Sequence, residues 1–172
     1  TAAMAQHFCI YLSTIRIKRS PAAAGRRSPA AAGRGVLTYN YDGSVYVSDE
    51  GRMLAEMRDD RFRMGSVHEP LRVLHTSAAM SIINESGDAE RSPGCGDCAF
   101  VPYCGADPVF HVATQNDPVG HRPTSEFCHR HTGLFHILFE YLAQRNPDTM
   151  RIFLSWMRHR SVEEIPHAGY LV

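Results

Sequence analysis

Residues 91–107 read RSPGCGDCAFVPYCGAD, with cysteines at 95, 98 and 104. Neither a helical nor a strand period runs through this stretch. Pro93, Gly94, Gly96, Pro102 and Gly105 punctuate it, and Pro108, Pro118, Gly120 and Pro123 follow. The pattern predicts little regular structure over 91–123. So long an irregular stretch is unusual in a compact domain unless something besides a hydrophobic core organises it. The fold therefore turns on what the cysteines do.

A Cys-x-x-Cys pair lets two thiolates from one turn reach the same metal. The five residues between Cys98 and Cys104 bring a third sulfur round from another side. Cys128, near the start of the next helical pattern, supplies a fourth from a separate element. Four thiolates suit tetrahedral Zn²⁺ or a [4Fe–4S] cluster, and spacing alone does not choose between them. A redox dithiol is the minor alternative. The expected ligands are Cys95, Cys98, Cys104 and Cys128. Cys9, in the apolar context HFCIYL, reads as a buried structural thiol.

Downstream, Thr124 or Ser125 caps a helix expected from Glu126 to Gln144, with Phe127, His131, Leu134, Leu138 and Leu142 on one face. Asn146-Pro147-Asp148 opens a last helix carrying Ile152, Phe153 and Trp156, and the tail after His159 reads as loose. Upstream, VLTYNYDGSVYVS (36–48) places two β-rich runs around Asp42-Gly43, a dipeptide suited to a type I′ hairpin turn. A short helix follows Asp49-Glu50, with Met53, Leu54 and Met57 expected inward. Residues 69–85 read as one helix with Pro70 in its first turn and Leu71, Leu74, Ala78 and Ile82 along one face. RSPAAAGR occurs twice in tandem, at 19–26 and 27–34, too short a repeat for a solenoid. It reads as a loop, and residues 7–17 before it are ambiguous between helix and strand.

The chain has 172 residues, 18 basic and 18 acidic side chains and a 44% apolar fraction. No global field favours nucleic acid or an anionic membrane, so neither is expected as a partner. No apolar run reaches the roughly 18 residues that span a bilayer. The first residues lack the pattern of a secretory signal. Clustered thiols without such a signal point to a reducing, cytoplasmic setting.

Longer words around the cysteines carry a resemblance. GRGVLTYNYDGSVYVSDEGRMLAEM, PGCGDCAFVPYCGADPVFH and DPVGHRPTSEFC, with the Cys-x2-Cys-x5-Cys trio and a distant cysteine, resemble the SPASM region of radical S-adenosylmethionine peptide maturases. The similarity is greatest to the radical SAM maturase of the His-Xaa-Ser system and runs from about Ser28 to Arg158.

The resemblance implies an α+β fold: a small SPASM-like domain with a β-hairpin, a cysteine-rich irregular cluster loop and C-terminal helices. It divides the chain into an N-terminal remnant with the duplicated loop (1–35), an iron–sulfur domain (36–158) and a tail (159–172). It moves the choice of metal to one auxiliary [4Fe–4S] cluster on Cys95, Cys98, Cys104 and Cys128, used for electron transfer or as a scaffold, with Zn²⁺ and a binding module as the alternative. A second auxiliary cluster would need cysteines where this chain has Ser48 and Pro108, so only one is expected. Asp49 and Glu50 are weaker candidates as oxygen ligands there. The Cys-x3-Cys-x2-Cys motif that binds the catalytic cluster and S-adenosylmethionine is absent. The resemblance places it in a barrel N-terminal to Thr1, so this portion is expected to be inactive alone. Its implied partners are that barrel, a precursor peptide and an electron donor or acceptor protein. Phe100, Val101, Pro102 and Tyr103 are expected to shield the cluster. His111, His121, His129 and His131 lie nearby as minor ligand candidates, and Asp107, Asp117 and Arg122 are expected to satisfy loop backbone or pair with one another.

Overall fold

The computed structural model describes residues 32–33, 35–89 and 91–166. The first apolar run, Cys9, most of the tandem repeat and the last six residues lie outside them. The protein is a small α+β chain with a three-stranded antiparallel sheet, and its described residues contain six α-helices. They fall into two compact units that divide between His129 and Arg130, so the expected 36–158 domain has residues in both.

In the first unit, β1 (Thr38–Tyr39) and β2 (Ser44–Tyr46) form the expected hairpin, pairing Thr38 with Tyr46 and Tyr39 with Val45. The turn is not type I′. Gly43 takes φ +82°, but Asp42 has no positive φ. Gly43 N–H donates to the Asn40 carbonyl at 3.0 Å, Asn40 N–H donates to Ser44 O at 2.9 Å, and Asp42 Oδ1 accepts from Ser44 N–H at 2.8 Å. This is a three-residue loop in which one left-handed glycine suffices. Strand β3 (Arg63–Ser66) pairs with the other edge of β2. Its sequence, RMGS, has no β pattern. Pairing with β2 and insertion of Met64 into the core decide it. As the central strand, β2 buries Ser44, Val45 and Tyr46 alike.

Helix α1 (Asp49–Glu56) starts at Ser48, whose Oγ accepts from Gly51 N–H at 3.2 Å. Leu54 is buried as expected, but Met53 and Met57 are exposed. The inner face is Gly51 and Leu54. A Cβ at Gly51 would lie 3.0 Å from Phe62 Cβ, so the missing side chain admits Phe62 and turns both methionines outward. The single helix expected at 69–85 is two: α2 (Leu71–Leu74) and α3 (Ala78–Ser86). Extended backbone at Ser77 separates them, and its Oγ accepts from Met80 N–H at 3.4 Å. Leu74 is buried and Leu71 exposed, and α3 turns Ala79, Met80 and Ile83 inward rather than Ala78 and Ile82.

A further correction falls inside the stretch expected to be irregular. Residues Pro108–Gln115 form α4, opened by Asp107 Oδ1 accepting from Phe110 N–H at 3.1 Å and closed by left-handed Asn116. Val109 and Val112 join Val45, Val47, Phe62 and Leu54 in one core. Helix α5 (Glu126–Gln144) begins where expected, and the capping side chain is Ser125: its Oγ accepts from Cys128 N–H at 3.1 Å.

In the second unit, His131, Phe135 and Leu138 are the buried residues of α5, while Leu134 and Leu142 are half-buried. Helix α6 (Pro147–Arg158) is capped by Asn146 Oδ1, which accepts from Asp148 and Thr149 N–H. Phe153 packs edge-on to Tyr141. The tail is not loose up to residue 166. Arg151 donates to Ile165 O at 3.1 Å and Val162 O at 2.9 Å, and Ile165 is only 1% exposed. One arginine thus satisfies the carbonyls of a short 3₁₀ turn, Val162–Glu164, while Ile165 is buried. Among the described residues no helix is long and apolar enough to cross a membrane.

Candidate metal centre

Residues 92–104 form a run of linked turns. Cys95 N–H donates to Ser92 O, Cys98 N–H to Cys95 O and Val101 N–H to Cys98 O, each at 3.0 Å, and Cys104 N–H donates to Phe100 O at 2.9 Å. Cys95 and Cys98 are thus the first and last residues of one turn, as the Cys-x-x-Cys spacing requires. Ser92 and Ala106 are buried, and no residue between them is. Phe100, Val101, Pro102 and Tyr103 are half-buried. The segment holds its shape by turns rather than by a core of its own.

Two joints fix this loop to the start of α5. Gly94, at φ +75°, packs against Pro123 so closely that a Cβ would lie 2.3 Å from the Pro123 Cγ. Ser125 donates its hydroxyl to Arg122 O at 2.9 Å and accepts from Cys128 N–H, which sets Cys128 in the first turn of α5. Cys95 and Cys128 therefore flank one short stretch, 122–125.

All four cysteines are half-buried and outside any disulfide. Burial pushes the Cys104 thiol up to about 11, and Cys95, Cys128 and Cys98 act on it in the same direction. Burial also raises Cys95, against a pull from Arg122, while Cys128 and Cys98 add to the rise. Negative charge on the neighbouring sulfurs thus disfavours ionisation of Cys95 and Cys104. Cys104 Sγ donates to Gly105 O at 3.3 Å, as a protonated thiol does. Among the described residues, no group of three or more His, Cys, Asp or Glu side chains stands in position to hold a metal ion. The donor chemistry fits a thiolate-bound metal centre. Loading it would require the thiols to lose their protons and the side chains to turn toward a common point.

Arg122 satisfies backbone, as expected, but is far more buried than a loop arginine need be. It is 3% exposed, donates from Nη2 to Ser86 O at 2.5 Å and from Nε to Val119 O at 3.1 Å, and among the described residues has no carboxylate at ion-pair distance. Burial lowers its pKa, while Cys95 and then Cys104, Asp107 and Asp117 pull the other way. A signal was available: between Ser92 and His129 it is the sole lysine or arginine.

The histidines do not converge on the cysteines as a ligand set. His121 Nδ1 lies 2.8 Å from Thr124 Oγ1, His129 is exposed and His131 is buried. His111 is fully buried, with Nδ1 2.8 Å from Asp107 O and Nε2 without a hydrogen-bond partner. Its ring packs against Phe110 and Phe127, and burial lowers its pKa. Asp107 caps α4 and Asp117 accepts from Val119 N–H at 2.9 Å, so both carboxylates serve backbone.

Ser48 and Pro108 each start a helix, as N-cap of α1 and first residue of α4. Asp49 pairs with Arg52 at 3.0 Å on the surface, and Glu50 is exposed. Ser48, Pro108 and Asp49 thus have ordinary structural work.

No protein-family model, curated protein or solved structure matches the chain.

Proposed function

We propose that the chain is the auxiliary-cluster portion of a radical SAM enzyme that modifies a ribosomally made peptide, with one [4Fe–4S] cluster bound by Cys95, Cys98, Cys104 and Cys128 in a SPASM-like domain. The observation that carries the proposal is the grouping of three half-buried thiols on a coreless run of turns that Gly94 and Pro123 tie to the start of α5, where Cys128 supplies the fourth. The sequence words shared with His-Xaa-Ser maturases favour iron–sulfur over zinc. A cluster held by four thiolates has no open iron, so it supplies electron transfer and cross-linking rather than substrate activation. The chain's own contribution is to position the thiols, exclude water with Phe100 to Tyr103 and hold a cation beside the sulfurs. The proposed setting is the reducing cytoplasm, where such thiols stay available. The proposed partners are the catalytic barrel, the precursor peptide and an electron carrier.

Anaerobic purification with iron and sulfide analysis tests this. The expected product is brown, with about four iron and four sulfide per chain. Cys98→Ala is expected to lose that content and to raise amide exchange across 91–107. A colourless protein retaining one zinc after reconstitution with iron and sulfide would overturn the reading. So would full iron content in Cys98→Ala.

A further inference from the structure

Arg122 carries a buried charge with no carboxylate in contact among the described residues, Asp107 and Asp117 acting on it only from a distance. A guanidinium keeps its proton under all ordinary conditions. Placing it 97% out of water's reach would normally require a carboxylate partner, and none stands at ion-pair distance among the described residues. Its two hydrogen bonds go to carbonyls. One of these, Ser86 O, ends α3, where a cation is favoured by the exposed carbonyls of the helix. That contact offsets part of the cost of a buried charge, not all of it.

The chain on either side of this buried side chain is tied to the cysteine segments. Pro123, the next residue, packs against Gly94, beside Cys95. Three residues on, Ser125 hydrogen-bonds both Arg122 O and Cys128 N–H. Burial works against the Arg122 charge, and Cys95, Cys104, Asp107 and Asp117 all work in its favour, the thiols fully only once they lose their protons.

We propose that Arg122 is the built-in counter-charge of the four-cysteine centre: its guanidinium, buried between Ser86 and Val119, neutralises part of the negative charge of the loaded centre and biases it toward its more reduced state. The proposal rests on the function assigned above and adds how that site is tuned. Four thiolates outweigh the positive charge of either Zn²⁺ or a [4Fe–4S] core, so the loaded centre is anionic and a desolvated cation beside it is stabilising. One-electron reduction makes the cluster more negative still. The cation therefore favours the reduced form and raises the potential. Arg122 is a positioning and tuning residue with no role in bonding the metal.

The test compares the wild type, Arg122→Lys, Arg122→Gln and Arg122→Met in the full chain. Each is reconstituted anaerobically with iron and sulfide for a potential titration, and separately titrated with Co²⁺ against a chelator. Circular dichroism of the metal-free proteins monitors the fold. The neutral variants are expected to bind Co²⁺ at least about tenfold more weakly. Their clusters should be about tenfold harder to reduce at a given potential, which is about 59 mV for one electron. Arg122→Lys, which keeps charge but not the fork, should recover most of both effects. Wild-type potential and Co²⁺ affinity in Arg122→Gln would overturn the proposal. So would unfolding of both neutral variants, with Arg122→Lys folded, in the absence of metal, because the charge would then serve the fold. A wild type that takes up Co²⁺ but no iron–sulfur cluster would defeat the assigned function while leaving the counter-charge to be judged on Co²⁺ affinity. A wild type that binds neither defeats both.

Discussion

Residues 44–66 and residues 91–107 are both short, turn-rich pieces of the same unit, and they are held in opposite ways. The first places Val45, Val47, Leu54, Phe62 and Met64 in one core, so each turn is fixed by the burial of its neighbours. The second buries nothing between Ser92 and Ala106, and its order rests on consecutive backbone turns with Gly94 pressed on Pro123. One region has water-excluded apolar area as its organiser. The other has thiols, a nearby cation and little else. A segment that carries its own core needs no ligand to stay folded, whereas a coreless one gains most from a metal that cross-links it.

The largest expected effect breaks the first region. Phe62→Ala removes a fully buried ring on which α1 packs. It should cost about 3–5 kcal/mol in denaturant melts, with or without metal. If the loss vanishes when metal is bound, the two regions are not organised independently. Next in size is Gly94→Ala. The left-handed backbone costs about 1 kcal/mol, and the new Cβ must displace Pro123. The expected signature is weaker metal binding with near-normal exchange protection in β2 and α1. Unchanged metal affinity would show that the Gly94–Pro123 joint does not hold the thiols together.

Smaller still, and sharper, are the two serine caps. Ser48→Ala and Ser125→Ala each remove a hydroxyl that accepts from a helix N–H, worth about 1 kcal/mol apiece. Only Ser125 sits between Arg122 and Cys128. Ser125→Ala should therefore weaken Co²⁺ binding as well as stability, and Ser48→Ala stability alone. Equal effects on metal binding would merge what the comparison separates.

The hairpin, the start of α1, the start of α5 and α6 were legible because each is specified locally, by alternation, by Asp42-Gly43 or by a capping side chain. Strand β3 was not, since RMGS is a strand only through its pairing with β2. The break at Ser77 hid because serine reads equally as cap and as helix interior. Helix α4 had a readable start in Asp107-Pro108, an N-cap followed by proline, but the surrounding glycines and prolines masked it. At the candidate site, spacing singled out the cysteines as candidates, because thiol chemistry is written in single residues. The backbone role of Arg122 was read, but its burial without a carboxylate in contact was not, because no linear pattern encodes it.

Helix α4, which follows the cysteine segment, meets acid through two buried groups. His111 is fully buried beside Phe110 and Phe127, and its pKa lies below 6.5 in the folded chain. Between that lowered value and 6.5 the unfolded chain binds more protons than the folded one, so stability must fall as pH drops through this window. Asp107 works in the other direction. Burial raises its pKa above 3.8, so the folded chain takes up its proton first, and acidification below that raised value recovers stability. In metal-free protein the expected profile is thus a decline beginning near pH 6.5, opposed at lower pH by Asp107. His111→Phe should remove the decline and leave the Asp107 arm in place. A variant that keeps the full wild-type decline would assign the acid sensitivity to another group, and the unpartnered Nε2 would then cost the fold nothing that protonation can reveal.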